Sequence, residues 1–262
     1  MRSLVLLPVA VLAVLGAFAN ASLRQPYELT GGAPVLGLAA RVADELDAVR
    51  VTTNDHSPAA GNPGKGIAAD TLGLDFTPAT DAAIASHAVA NVGFVFVVHA
   101  HRTTEALTRD QVAAIYRGDI DNWRQLGGPD APIRLLHAST FAAAQVGRYA
   151  GLGAARAQAQ VCGSDYRCEC LLTGDPFALG CMSATSAQTA CAGGAPLRIL
   201  TLDGVAATPA TIADHSYPLC RTLYLLFPRA SASIGQLLID YLRSASGAGV
   251  LRQNGFEPAA NG

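Results

Sequence analysis

The chain has 262 residues, half of them hydrophobic and 15% charged. That length suffices for one large domain or two smaller lobes around a buried core, and the composition argues against intrinsic disorder. A net charge of −2 argues against a nucleic-acid partner, because a phosphate backbone demands a basic face.

The chain opens with Arg2, an apolar run from Leu4 to Phe18, and small residues at Ala19 and Ala21. This reads as a secretory leader over residues 1–21, cleaved after Ala21. The run falls short of the roughly 20 residues a membrane span needs. No cysteine follows it directly, so a lipid anchor is not expected. An exported, soluble, periplasmic protein is the expectation.

Past the leader, Tyr27–Leu29 reads as a strand and "TGGAP" as a loop. Val35 to Leu46 reads as a helix with Val35, Leu38, Ala39, Val42 and Leu46 on one face. "VRVTT" is a second strand, so the unit is strand, Gly loop, helix, strand, which builds parallel sheets. "NDHSPAAGNPGKG" is a loop, and a short helix and a strand at Leu74–Phe76 follow. "NVGFVFVVHAH" is apolar enough to be a central strand.

The next stretch, "LTRDQVAAIYRGDIDNWRQLGG", starts with Thr108 as a helix cap, with Asp110 and Gln111 in the first turn. Val112, Ile115 and Tyr116 form its buried stripe and Gly118 ends it. "APIRLLHAST" is a strand that runs into a helix near Phe141–Gly151. The stretch from Val161 to Gly194 reads as irregular apart from a strand at Phe177–Met182. Cys162, Cys168, Cys170, Cys181, Cys191 and Cys220 all fall in this second half. Export would place them in an oxidising compartment, so disulfides are expected, with the pairing open. Zinc is a poor rival, since "CEC" is not a CxxC pair and has no histidine pair nearby. "LRILTLDGV", "RTLYLLFP" and the helix "IGQLLIDYLRS" complete an alternating α/β chain. Strands at Val97 and at Ile199–Leu202 are the candidate crossings between two lobes.

No catalytic set is legible, and an enzyme is not expected. Lys65 is the one lysine and has Asn62, not Ser, three residues before it. There is no Gly-x-Ser-x-Gly, Walker loop or dinucleotide fingerprint. His99 and His101 could face one way on a strand, but without a third ligand they read as two surface histidines at a strand end. Asp119 and Asp121 lie in the Trp turn and read as solvated.

Leu107, Thr108, Tyr116, Gly118, Ile120, Asn122, Trp123, Leu126, Gly127 and Gly128 form an ordered pattern. This pattern resembles the helix-turn segment of the phosphate-binding proteins of bacterial ABC transporters, a group of type II periplasmic solute-binding proteins. "DPFALGCMS", "LDGVAATPATIADHSYPLCRTLYLLF" and "LLIDYLRSASGAGVLRQNGFEPA" match further family stretches in order, so the similarity spans about Tyr27 to Ala259. The resemblance implies a two-lobe periplasmic-binding-protein fold with a two-strand hinge and a ligand held between the lobes. Lobe 1 is expected over 22–98 and 203–262, and lobe 2 over 99–202 with a Cys-rich insert at 161–194. Trp123 is expected to pack the turn as scaffold, with Asn122 satisfying loop backbone.

The family binds its oxyanion with helix N-terminal N–H groups, Ser and Thr hydroxyls, Arg and a proton-accepting carboxylate. Carried onto this chain, the matching positions are Thr30, Gly31 and Gly32 in the first loop and Asp75 and Thr77 in the second. In the third they are His137, Ser139 and Thr140. Both Arg positions of the family pattern are lost; His137 stands near one of them, and Pro34 removes an N–H from the first loop. The resemblance therefore implies a monomeric solute-binding protein for phosphate or another small oxyanion, possessing no cofactor or metal and serving an ABC permease. The alternative is a divergent non-phosphate binding or accessory protein with a refitted, less charged cleft.

Overall fold

The computed structural model describes residues 27–31, 35–45, 49–51, 71–152 and 159–259. The leader and Gly32 lie outside these residues. By contacts the chain divides into two units: residues up to Val89 with Thr222–Asn254, and Ala90–Arg221 with Gly255 onward. Among the described residues no helix is long and apolar enough to cross a membrane.

The first unit starts with the expected parallel layout. β1 (Tyr27–Gly31) pairs in parallel with β2 (Val49–Val51) and with β3 (Thr71–Asp75). Between β1 and β2 runs α1 (Leu36–Glu45), which buries Leu38, Ala39 and Val42, one helical turn of apolar contacts. β4 (Ile84–His99) and β11 (Cys220–Pro228) are long strands, and β11 runs antiparallel to β3. The unit closes with α7 (Ala232–Arg243) and α8 (Ala245–Gln253). α7 buries Ile234, Leu238, Ile239 and Leu242 at helical spacing.

The corner between these helices is tight. Ser244 caps α8 through Oγ, which accepts the Gly247 N–H at 3.2 Å. A Cβ on Gly247 would lie 2.1 Å from the Tyr241 carbonyl oxygen and 2.6 Å from Leu242 Cα. These are backbone atoms with no rotamer to yield, so Gly247→Ala is expected to cost about 1–3 kcal/mol, read as a lower urea midpoint at unchanged slope.

In the second unit the central strand is the later part of β4. It pairs antiparallel with β8 (Ala178–Ser183) and β9 (Leu197–Ile199). β8 pairs in parallel with β6 (Arg134–His137), and β6 with β7 (Gln160–Val161). A separate two-stranded ribbon joins β5 (Ala106–Leu107) to β10 (Thr201–Leu202), and β12 (Glu257–Pro258) pairs with β4. The helices are α2 (Arg109–Arg117), α3 (Thr140–Tyr149), α4 (Asp165–Gly174), α5 (Ala184–Ala192) and α6 (Pro209–Ala213).

The structure departs from the sequence reading in three places. β4 begins at Ile84, seven residues before the expected Asn91, because Ile84–Ala90 mixes Ser and His with small apolar residues and hides its alternation. The Cys-bearing stretch, expected to be irregular, holds α4 and α5, each started by a serine cap at Ser164 and Ser183. The chain passes between the units inside β4 at 89/90, inside β11 at 221/222 and after Asn254. The crossings expected from the sequence stood at Val97 and at Ile199–Leu202. Those residues belong to the second unit, because Ile199 pairs with Val97 and Leu202 with Leu107.

Candidate functional site

The Trp motif resolves into a folding device. Thr108 Oγ1 accepts the Gln111 N–H at 3.2 Å and Gln111 Oε1 accepts the Thr108 N–H at 2.8 Å, a reciprocal cap on α2. Gly118 ends the helix at φ 86°, a conformation that favours glycine. Asn122 then caps a 3-10 turn over Trp123–Leu126; its Oδ1 accepts the Arg124 and Ala131 N–H groups. Trp123 is fully buried and its Nε1–H donates to the Phe177 carbonyl at 2.8 Å. Gly128 lies so close that a Cβ there would sit 3.2 Å from Trp123 Cβ. Trp123 is scaffold, as expected.

Asp203 of the "LDGV" motif is likewise structural. It accepts the Arg109 N–H at 2.9 Å and the Tyr149 hydroxyl at 2.7 Å, tying the end of α3 to the start of α2. The Tyr149 bond, with that N–H, holds the Asp203 carboxyl below the usual carboxylate range.

The predicted ligand residues that the structure describes fall at strand ends or just past them, which is where open α/β sheets present loops. In the first unit Thr30 and Gly31 end β1 beside the end of β3, with Gly31 in register with Leu74. Asp75 is the last residue of β3; it is 5% exposed, and its Oδ1 accepts the Thr77 N–H at 2.7 Å. Gly31 and Asp75 thus end neighbouring parallel strands at the same end of that sheet, with Thr77 just beyond Asp75.

In the second unit β6 leads through Ala138 to Ser139, which caps α3. Ser139 Oγ accepts the Ala142 N–H at 3.1 Å, and Thr140 stands exposed at the first helical position. Such a helix start carries N–H groups with no intrahelical partner and a partial positive charge. His137 does not join them. Its ring is 2% exposed and turned inward, Nε2 lying 3.2 Å from the Tyr116 hydroxyl, with Nδ1 buried and unpartnered. Burial pushes its pKa down to about 4, so it is a neutral imidazole that supplies no positive charge. His137 cannot stand in for the missing Arg. The nearest arginine in sequence, Arg134, sits at the other end of β6, ion-paired with Asp175 at 2.8 Å.

One cluster was not read from the sequence. Asp165 at the start of α4 accepts the Ser183 N–H at 3.1 Å, the Ser183 hydroxyl at 2.6 Å and the Ser186 hydroxyl at 2.9 Å. The start of α5 is therefore filled by an internal carboxylate. Only the "SxxS" at Ser183 and Ser186 hinted at a cap; packing of α4 on β8 brings in the acid. A pocket of about 470 Å³ in this unit, lined by Tyr116, Arg117, Asp121, Arg134 and Gln160 among others, contains none of the predicted ligand residues.

His99 and His101 stack with ring centres 4.8 Å apart, and His99 is buried rather than at the surface. His99 Nδ1 accepts the backbone N–H of His101 at 3.3 Å. Among the described residues there is no group of three or more His, Cys, Asp and Glu that could hold a metal ion. The structure joins none of the six cysteines in a disulfide. Two of them are engaged elsewhere: Cys220 Sγ lies 3.3 Å from His215 Nδ1, and Cys191 Sγ donates to the Leu197 carbonyl.

The profile of the PBP superfamily domain matches residues 47–246. The phosphate-binding protein PstS of Bacillus subtilis (strain 168) is 25% identical over 164 residues, 62% of this chain and 53% of that protein. The chain thus matches about half the length of this curated relative. Among solved structures, an ABC-type phosphate transport receptor from Vibrio cholerae has a TM-score of 0.72 at 22% identity, covering 88% of this chain and 98% of that one. A substrate-binding protein from Clostridium perfringens, solved with bound phosphate, has a TM-score of 0.67 at 20% identity, covering 90% of this chain and all of that one. At these identities the solved structures speak for the fold, and it is the expected α/β, two-lobe periplasmic-binding-protein class. With its parallel strands, two crossing strands and a profile match over most of its length, the chain belongs to the PBP superfamily.

Proposed function

We propose that the chain is an exported, monomeric substrate-binding protein that captures phosphate or another small oxyanion and delivers it to an ABC-type permease. The leader at residues 1–21 directs it to the periplasm, and it works without cofactor. The observation that carries this reading is the capped start of α3, where Ser139 and the exposed Thr140 follow a strand end. A helix of ten residues opening on hydroxyls suits a desolvated oxyanion. Asp75, at the strand end that also presents Gly31, is the group we assign to accept a proton from the ligand. A carboxylate in that role favours an oxyanion that still carries a proton, such as phosphate, over one that carries none, such as sulfate.

A second reading is favoured by one observation. With His137 neutral and buried, the third loop brings no cation, which suits a less charged ligand. A thermal-shift panel of phosphate, sulfate, other oxyanions and apolar metabolites separates the two. Ligand at a hundred times its Kd adds about 2.7 kcal/mol to stability. Phosphate raising Tm supports the first reading; no shift at millimolar phosphate rejects it, and a shift with an apolar metabolite supports the second. If phosphate binds, Ser139→Ala is expected to weaken it about tenfold, and Asp75→Asn to move preference from phosphate towards sulfate. Calorimetric titration of both variants checks this.

A further inference from the structure

We infer that the cavity between the end of α2 and β6 is a second binding site, and that it takes an amphipathic amine, an ammonium group on an aliphatic or aromatic body. The cavity holds about 470 Å³. Pockets for small ligands run from about 300 to 1,000 Å³, so one ring with a short chain fits. Among the described residues, none of those assigned to the oxyanion lines it.

The body of the ligand would meet an aliphatic floor. Ile120, Ile133 and Leu135 line the cavity, and each is only half-buried, so apolar surface stays open to it. Alternate residues of a strand share a face, so Leu135 lies on the same side of β6 as His137. That side faces α2, because the His137 ring is centred 5.4 Å from the Tyr116 ring. Arg134 turns to the opposite side, where it pairs with Asp175 at the end of α4.

The sign of the ligand's charge follows from the turn that ends α2. All four backbone N–H groups of Gly118–Asp121 are spent inside the chain. Gly118 donates to the Ile115 carbonyl, Asp119 and Ile120 to the Ala114 carbonyl, and Asp121 to Gln125 Oε1. This wall has no backbone donor left for an anion. It is also the C-terminal end of a helix, which carries partial negative charge and favours a cation. Arg117 is held by Asp119 at 2.7 Å, and Arg134 by Asp175 at 2.8 Å. The Asp121 carboxylate is exposed and has no partner among the described residues. With both arginines paired, Asp121 leaves the rim a net negative charge. Its backbone is fixed against the floor, since the Ile133 N–H donates to the Asp121 carbonyl at 2.7 Å. A primary amine is protonated at neutral pH and would give that carboxylate a charged hydrogen bond.

The test titrates the nitrogen-15-labelled full chain with 2-phenylethylamine and follows the backbone amides by two-dimensional NMR. A parallel titration uses 3-phenylpropanoate, which carries the same phenylethyl body on a carboxylate. The amine is expected to shift the signals of Ile120, Asp121, Ile133 and Leu135 saturably, and the carboxylate to leave them in place. Asp121→Asn should weaken the amine about tenfold. The Asp121 side chain bonds to nothing described, so this variant should keep the spectrum of the folded chain elsewhere. Excess phosphate should leave the amine affinity unchanged, so this site and the oxyanion reading stand or fall separately. No saturable shift at millimolar amine, shifts confined to other residues, equal binding of 3-phenylpropanoate, or full affinity in Asp121→Asn would overturn the assignment.

Discussion

Trp123→Ala is expected to lower the unfolding free energy by about 3–5 kcal/mol. The indole is fully buried, so its removal leaves a cavity as well as losing transfer energy. It also leaves the Phe177 carbonyl without the donor that now sits 2.8 Å away. The backbone around it is committed too: the Trp123 N–H donates to Ala131 and the Gly128 N–H to Trp123, each at 2.9 Å. Trp123→Phe keeps most of the ring and loses the indole hydrogen bond, so about 1–2 kcal/mol is expected. Trp123 is the single tryptophan, so the measurement is urea unfolding followed by circular dichroism, because fluorescence would vanish with the mutation. A loss below about 1 kcal/mol for the alanine variant would mean that the turn is not anchored by this side chain.

The second large effect is on pH. His137 titrates near 4 in the folded chain, against an ordinary value of about 6.5 when unfolded. Above pH 6.5 neither state holds the proton and the group makes no difference. As pH falls from 6.5 towards 4, the unfolded chain takes up a proton that the folded chain refuses. Stability is therefore full above about pH 6.5 and falls by about 1.4 kcal/mol per pH unit through that window, on the order of 3 kcal/mol in all. His99, lowered by burial and by His101 and Arg102, acts with the same sign. Asp203 and Asp214, both lowered by hydrogen bonds, lose their contribution only at more acid pH. Urea midpoints at pH 7.5, 6 and 5 give the slope. The double variant His137→Leu with Tyr116→Phe removes both polar partners and should flatten it. An unchanged slope in that variant would assign the loss to other groups.

Much of the second unit could be read from local signals. The α2 cap, its Gly118 stop and the Asn122–Trp123 turn each depend on residues within a few positions of one another. β4 could be read only where its apolar run is continuous, and its first half was missed where half-buried Ser and His interrupt it. α4 and α5 were missed because Cys, Ser, Thr and Ala give them a weak apolar stripe. At the candidate site, Gly31, Asp75 and Ser139 were placed by resemblance, and each ends a strand or caps a helix in the structure. The direction of His137 could not be read, because a strand covered on both faces looks alike whichever way a residue points.

The amino-acid sequence by itself determined the α/β class, the parallel β1–α1–β2 unit and the Trp turn. Those follow from periodicity, caps and glycines acting over short distances. Only the tertiary structure decided that His137 is a neutral core residue against Tyr116 and that Asp165 fills the start of α5. Both contacts join residues 18 or more positions apart. Packing sets such contacts, and packing is a property of the whole fold rather than of any short stretch of chain.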